Sequence, residues 1–331
     1  MEPSFIIEDR EVSVAASIGI ALDRGGRADA GGMLRDADTA MYRAKFGAGN
    51  GFVVFEPSMH AAAIARIDLE ADLRRALLRD EMRLDYQPIV RLADGEVIGL
   101  EALIRWHHPQ RGIMNPLDFI PLAEETGQIA PLGRWILTDA CEQTRRWQQS
   151  DARLGKLSIS VNVSPRQLQD TRFVHDVAAA LTVSGLDPTD LVLEITEGAV
   201  MADTESAIRQ LHALRALGVS LAIDDFGTGH SSLALLRRLP VDILKVDKMF
   251  VDTIVTDPVA AAFLETIVRM GEILSLSVTV EGIESAAQVA LIAGCGGVLG
   301  QGYQLGRPMS VAAVDELLSA AVVTVADLLA G

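Results

Sequence analysis

Between residues 82 and 331 the sequence alternates: short strand-like apolar runs recur, and most are followed by a stretch with helical spacing. The runs fall at 82–90, 97–106, 157–163, 191–197, 220–226, 243–247, 277–283 and 298–302, and the helical stretches include 118–149, 173–184, 204–217 and 258–274. Parallel strands need long crossovers, which helices supply, so the pattern predicts a parallel sheet wrapped by helices. Eight runs across about 250 residues match an α/β fold of the TIM-like (β/α)8 barrel type. A doubly wound open sheet is the runner-up, but its glycine-rich dinucleotide turn does not follow the first run. The first two runs are joined only by Ala93-Asp94-Gly95, too short for a helix. That junction predicts an antiparallel hairpin and a barrel irregular at its start.

Residues 1–57 follow another pattern. A strand at 12–22, a helix at 32–45 and a strand at 52–55 precede a long helical stretch at 58–79, rich in Ala, Leu and Arg. Two or three strands and one helix bury too little surface to stand alone, so this part reads as the end of something larger. The expected division is a small α+β segment at 1–57, a linker helix at 58–80 and the barrel at 81–331.

Charge narrows the partners. The chain carries 29 Lys and Arg against 45 Asp and Glu, a formal net charge of −16. Binding a DNA or RNA polymer needs a basic face, which this composition argues against. A phosphodiester ligand would need local positive charge from a metal or a few placed basic groups. No stretch approaches the roughly 20 uncharged apolar residues of a membrane span, and Met1-Glu2-Pro3-Ser4 lacks a secretory n-region. Cys141 and Cys295 lie outside any metal-ligand spacing and read as small buried hydrophobes in a reduced, cytoplasmic setting.

Side chains alternate across a strand, and a barrel enzyme gathers its active site at the C-terminal strand ends. Glu101, Leu103 and Arg105 share a face of the second run. Asn162 ends the third, Glu194 lies late in the fourth and Asp224-Asp225 closes the fifth. Lys245 and Asp247 share a face of the sixth, while Glu281 and Gln301 end the seventh and eighth. Five carboxylates gathered at one mouth would repel one another unless a cation neutralised them. Oxygen-only ligands suit Mg²⁺ or Mn²⁺ rather than Zn²⁺, and adjacent Asp224 and Asp225 suit two ions bridging a phosphoester. Lys245 would add a donor for the attacking water or the developing charge. The glycine-rich loop 225–232 would close over a ligand.

Each residue also has a plainer reading. A lone acid at a strand end is more often a helix cap, and Asp225 would then cap the next helix. Lys245 with Asp247 would be a surface ion pair, Glu197 a structural residue on the face opposite Glu194, His107-His108-Pro109 a turn, and His230 an ordinary loop residue. The joint pattern, one suitable group on nearly every strand, outweighs these readings.

The motifs Tyr86-Gln87-Pro88-Ile89-Val90, Glu101-Ala102-Leu103-Ile104-Arg105-Trp106, Ser160-Val161-Asn162-Val163-Ser164 and Leu193-Glu194-Ile195-Thr196-Glu197 occur in order. They are followed by Ile223-Asp224-Asp225-Phe226-Gly227-Thr228-Gly229, Leu244-Lys245-Val246-Asp247, Val280-Glu281-Gly282-Ile283-Glu284 and Gln301-Gly302-Tyr303. Together they resemble the EAL domain family of bacterial cyclic di-GMP phosphodiesterases, over nearly all of residues 66–318. The resemblance implies a TIM-like barrel with one reversed strand, commonly dimeric, that uses two divalent cations, Mg²⁺ or Mn²⁺, to open cyclic di-GMP to linear pGpG. By matching positions it implies Glu101, Asn162, Glu194 and Asp224 as ligands of the first cation. Asp224 and Asp225, supported by Glu281, are implied for the second. Lys245 resembles the residue that holds the hydrolytic water, and Glu281 the carboxylate best suited to take its proton. Arg105 resembles a phosphate contact, with Gln87, Leu103, Gln301 and Tyr303 near the ligand. Glu197 and Glu284 resemble supports of the site's loops.

Val14-Ala15-Ala16-Ser17-Ile18-Gly19-Ile20-Ala21 and Ala37-Asp38-Thr39-Ala40-Met41-Tyr42-Arg43-Ala44-Lys45 resemble the last third of a GGDEF domain, without that family's upstream catalytic motif. The chain is therefore expected not to make cyclic di-GMP, and an upstream sensor is expected to be missing from it. Three functions remain in play: a phosphodiesterase, a cyclic di-GMP receptor without turnover, and a scaffold. A homodimer is expected from the segment's exposed strand edges.

Overall fold

The computed structural model describes residues 4–7, 10–13, 16–22, 29–46, 51–227 and 233–319. Two compact units divide the chain, Met1–Arg75 and Ala76–Gly331.

In the first unit, β1 (Ser4–Ile7) and β2 (Arg10–Ser13) form an antiparallel pair. Strand β3 (Ser17–Ile20) runs parallel to β4 (Gly51–Val54) through α1 (Ala30–Phe46), and α2 (Ser58–Ala76) follows. The expected strand at 12–22 is thus two strands; Val14 and Ala15, between them, lie outside the described residues. Gly19 lets α1 lie against the sheet, since a Cβ there would come within 1.9 Å of the Ala37 carbonyl oxygen. The paired residues Ile18 and Phe52 are exposed.

The second unit begins with β5 (Met82–Arg91) and β6 (Glu96–His108), an antiparallel hairpin as the short turn predicts. A third short strand, β7 (Gly112–Met114), folds back onto β6. Then follow α3 (Pro116–Thr126), α4 (Ile129–Ser150), β8 (Ser158–Val163), α5 (Pro165–Gln169), α6 (Phe173–Ser184), β9 (Leu191–Thr196), α7 (Glu197–Ala202) and α8 (Thr204–Arg215). The chain continues through β10 (Ser220–Phe226), α9 (Leu233–Leu236), β11 (Ile243–Val246), α10 (Pro258–Ile273), β12 (Ser277–Val280), α11 (Ala286–Ala293), β13 (Leu299–Gly300) and α12 (Val311–Ser319). Strands β6 and β8–β13 are parallel to their neighbours in turn, and β5 closes the ring antiparallel to both β6 and β13. The result is an eight-stranded TIM-like barrel with one reversed strand.

Helix α4 shows why the wall holds. Leu132, Ile136, Leu137, Ala140, Thr144 and Trp147 are buried at helical spacing, and each large apolar side chain removed from water contributes roughly 1.5–3 kcal/mol. The predicted helix at 118–149 is two helices. Gly127 sits in the left-handed region (φ 76°) and caps α3, its N–H donating to the Glu124 carbonyl at 3.2 Å. His107 and His108 end β6 rather than forming a turn. The turn comes after them, fixed by buried His108, whose Nδ1 accepts from the N–H of Gln110 at 3.1 Å and of Arg111 at 3.3 Å.

Candidate active site

The sequence-predicted residues come together at the C-terminal strand ends. Asn162 is the penultimate residue of β8, Glu194 faces it in register on β9, and Lys245 is the penultimate residue of β11. Glu281 and Gln301 are the first residues past β12 and β13, shorter strands than the apolar runs suggest. Gln87 and Glu101 are cross-strand partners in the hairpin.

At the centre is the Lys245 ammonium, buried, with four carboxylates around it. Its Nζ lies 2.5 Å from Glu194 Oε2, 2.6 Å from Glu281 Oε1, 3.4 Å from Asp224 Oδ1 and 3.7 Å from Glu101 Oε2. Burial disfavours the charge on Lys245, but the surrounding acids outweigh it and raise the pKa well above the usual lysine value. Burial raises Glu194 well above its ordinary range against the pull of Lys245, with Glu101, Asp224 and Glu281 adding repulsion. Burial, opposed by Lys245 and reinforced by Asp224 and Glu101, pushes Glu281 up to about 7. Glu101 goes the other way: burial opposes ionisation, but Lys245 and hydrogen bonds from Gln301 and Asn162 overcome it. Asn162 Nδ2 donates to Glu101 Oε1 at 2.6 Å. Gln301 Nε2 donates to Glu101 Oε2 at 2.5 Å and to Gln87 Oε1 at 3.1 Å.

Asp224 and Asp225 sit at an irregularity where the pairing of β10 with β11 skips between Ile223 and Phe226. Asp225 takes a left-handed backbone (φ 55°), a strained conformation for a residue with a side chain. Burial, then the charges of Asp224 and Asp247, raise its pKa. Strain and crowded charge in one turn are what a site that binds something positive retains.

The donors are oxygen atoms of carboxylates and one amide, the chemistry Mg²⁺ and Mn²⁺ take. Asp224 Oδ1 is buried with no hydrogen-bond partner among the described residues, so the donor set fits a divalent cation in kind. Among the described residues no three His, Cys, Asp or Glu side chains yet close on one ion position. Lys245 is the positive charge that these residues share.

Other candidates sit less centrally. Arg105 pairs with Asp85 at 3.1 Å, and Leu103 is half-buried opposite Asp85. Tyr303 is exposed beneath the Arg307 guanidinium, whose Cζ is 4.2 Å from the ring centroid. Glu284 pairs with Lys248. Glu197 is the first residue of α7, which Thr196 caps, rather than a residue of β9. Its carboxylate is buried beside Val200, Ile223 and Phe226, with no partner among the described residues. The loop residues 228–232, with His230, lie outside the described residues. Asp247 makes no pair with Lys245: its Oδ1 accepts from the Met249 N–H at 2.8 Å and starts a 3-10 turn. Arg307 escaped sequence reasoning; an arginine four residues after an aromatic, in a run already carrying Gln301, was the available signal.

Residues 70–308 match the family model described as EAL domain. The chain is 43% identical over 305 residues to the bifunctional diguanylate cyclase/cyclic di-GMP phosphodiesterase MucR of Pseudomonas aeruginosa, covering 92% of this chain and 44% of MucR. It is 38% identical over 305 residues to the cyclic di-GMP phosphodiesterase PdeR of Escherichia coli, covering 92% of this chain and 46% of PdeR. The chain thus spans less than half the length of these relatives. Among solved structures, a MucR phosphodiesterase in complex with c-di-GMP superposes with a TM-score of 0.71 at 42% identity, over 75% of this chain and 99% of that one.

Proposed function

The chain belongs to the EAL domain family, and from that membership we propose that it hydrolyses one phosphodiester of cyclic di-GMP to give linear pGpG. The observation that carries the reading is the ring of Glu101, Glu194, Asp224 and Glu281 around buried Lys245. Two divalent cations, Mg²⁺ or Mn²⁺, would be held by Glu101, Asn162, Glu194, Asp224, Asp225 and Glu281. When bound, such cations neutralise phosphate charge and lower the pKa of water.

The protein's own groups do the rest. Lys245, held in place by its acids, offers N–H donors to orient a water or steady charge growing on the phosphate. Glu281, 2.6 Å from that ammonium and less buried than Glu194, would be the carboxylate that takes a proton there. Gln301 and Asn162 fix the Glu101 carboxylate so that it need not reorganise. Arg105, Gln87, Leu103 and Tyr303 would contact the ligand.

Residues 1–57 we read as the C-terminal part of a GGDEF-like domain, 58–80 as a linker helix and 81–331 as the catalytic domain. Homodimerisation and a cytoplasmic location belong to the same proposal. Exposed Val255, Val259 and Phe263 support the first, and two free cysteines the second.

The test is incubation of the purified chain with cyclic di-GMP and Mg²⁺ or Mn²⁺, with products resolved by chromatography. Wild type should yield pGpG, and Glu101→Ala should lower kcat/KM by at least about 100-fold, the scale of removing one electrostatic contact from a reacting centre. Tight binding without pGpG would make the protein a receptor. Undiminished hydrolysis by Glu101→Ala would remove the site.

A further inference from the structure

The segment from Gln301 to Met309 is pinned at both ends. Gly302 presses against Ile283 so closely that a Cβ would lie 2.2 Å from the Ile283 nitrogen. Around it, the Ile283 N–H donates to the Gln301 carbonyl at 3.1 Å and the Gln304 N–H to the Ile283 carbonyl at 3.0 Å. At the other end Met309 exchanges both backbone hydrogen bonds with Tyr86, at 2.8 and 2.9 Å. Gly306 packs on Pro88, and its carbonyl accepts from Gln87 Nε2 at 3.0 Å. Gln87 accepts from Gln301, which in turn donates to Glu101. Tyr303 and Arg307 are therefore carried on a loop fixed to the candidate active site itself.

On that loop Arg307 stacks over Tyr303, and no acid pairs with it among the described residues. A cation left without a carboxylate, at the rim of an acidic site in a chain of net charge −16, is available to a ligand. A guanidinium is a planar fork whose two N–H groups match O6 and N7 of guanine, and a ring beneath it fixes the plane before binding. Adenine offers N7 but puts an amino donor where guanine has O6, so the same fork would face a donor it cannot satisfy.

We propose that Arg307, oriented by Tyr303, reads a guanine base of the cyclic dinucleotide and so sets nucleobase specificity, not the rate of the chemical step. This rests on the reading of the site as one for cyclic di-GMP.

The full chain and its Arg307→Ala and Arg307→Lys variants would be assayed with Mg²⁺ or Mn²⁺ on three diesters: cyclic di-GMP, cyclic di-AMP and the base-free bis(p-nitrophenyl) phosphate. Arg307→Ala should raise KM for cyclic di-GMP by about 10-fold or more, on the scale of one bidentate base contact, with kcat within about twofold. Preference over cyclic di-AMP should shrink by the same factor, and turnover of the base-free diester should not move. Arg307→Lys, which keeps charge but loses the fork, should resemble Arg307→Ala. An unchanged KM, rescue by lysine, or an equal loss on the base-free diester would overturn the assignment. If wild type binds cyclic di-GMP without cleaving it, the hydrolase reading fails, and the same contrast between the two cyclic dinucleotides is read from Kd by calorimetry. If it binds neither, both readings fail.

Discussion

The two ends of this barrel treat buried polar groups in opposite ways. At the floor, where the parallel strands begin, polar groups are answered within the fold. Buried Gln148 donates to the Leu157 carbonyl at 3.0 Å and to Asp190 Oδ2 at 2.8 Å. Asp242 accepts from the Leu221 N–H and from Arg215, each at 3.0 Å. At the mouth, four acids crowd one ammonium, and Asp224 Oδ1 and Gln301 Oε1 are buried without hydrogen-bond partners among the described residues. Open space does not follow chemistry here. A cavity of about 350 Å³ lies at the floor, lined in part by Arg91, Arg153 and Lys156, yet its two arginines are already paired with Asp94 and Asp151. One end of the barrel is built for stability, and the other keeps uncompensated charge for use.

The contrast is sharpest at Lys245. Lys245→Met should destabilise the metal-free protein by about 3–5 kcal/mol, because it leaves buried acids without a counter-charge. Thermal melts in EDTA and in excess Mg²⁺ or Mn²⁺ check this: the cations should restore part of the loss. An equal loss in both would mean that the mouth does not exchange one positive charge for another. At the floor, Asp190→Ala removes a partner from buried Gln148 and should cost about 1–3 kcal/mol in denaturant melts. Its kcat per folded molecule should equal wild type; a lowered kcat would erase the division between the ends. The smallest effect concerns the wall between them. Burial pushes the thiol of Cys141 up to about 12 and raises Cys295 more modestly. Below that range Cys141 stays protonated, so at pH 8 a thiol reagent should label Cys295 and reach Cys141 only on unfolding. Raising the pH to 10 should speed the first reaction and leave the second closed, as mass spectrometry would show.

Much of this was legible in the sequence because barrel strands are apolar, so a single Glu, Asp or Lys near the end of each stands out. The hairpin was legible from Ala93-Asp94-Gly95 because three residues cannot hold a helix. Other features depend on partners distant in sequence. That Lys245 gathers four acids while Asp247 only caps a turn is decided by β6, β9, β10 and the end of β12, not by spacing on β11. Glu197 had strand-like alternation with Glu194, but the Thr196 side chain accepts from the Ala199 N–H and starts a helix one residue early. Gly127 was visible as a glycine, but its left-handed cap, which divides one predicted helix into two, was not. Arg105 looked available on its face of β6, and only the folded hairpin reveals Asp85 beside it.

The reversed first strand also bears on the order in which the molecule is assembled. Gln87 and Glu101 meet through a local hairpin, the kind of pairing that forms within microseconds. Gln301, which ties both together, lies 200 residues beyond Glu101 and arrives only when β13 meets β5. Among the pairings of barrel strands this one closes the longest loop, and it belongs late in folding. A partly folded chain thus holds half of a ligand site and cannot complete it. Ligand binding would therefore report barrel closure, and would favour the closed ring over every open precursor.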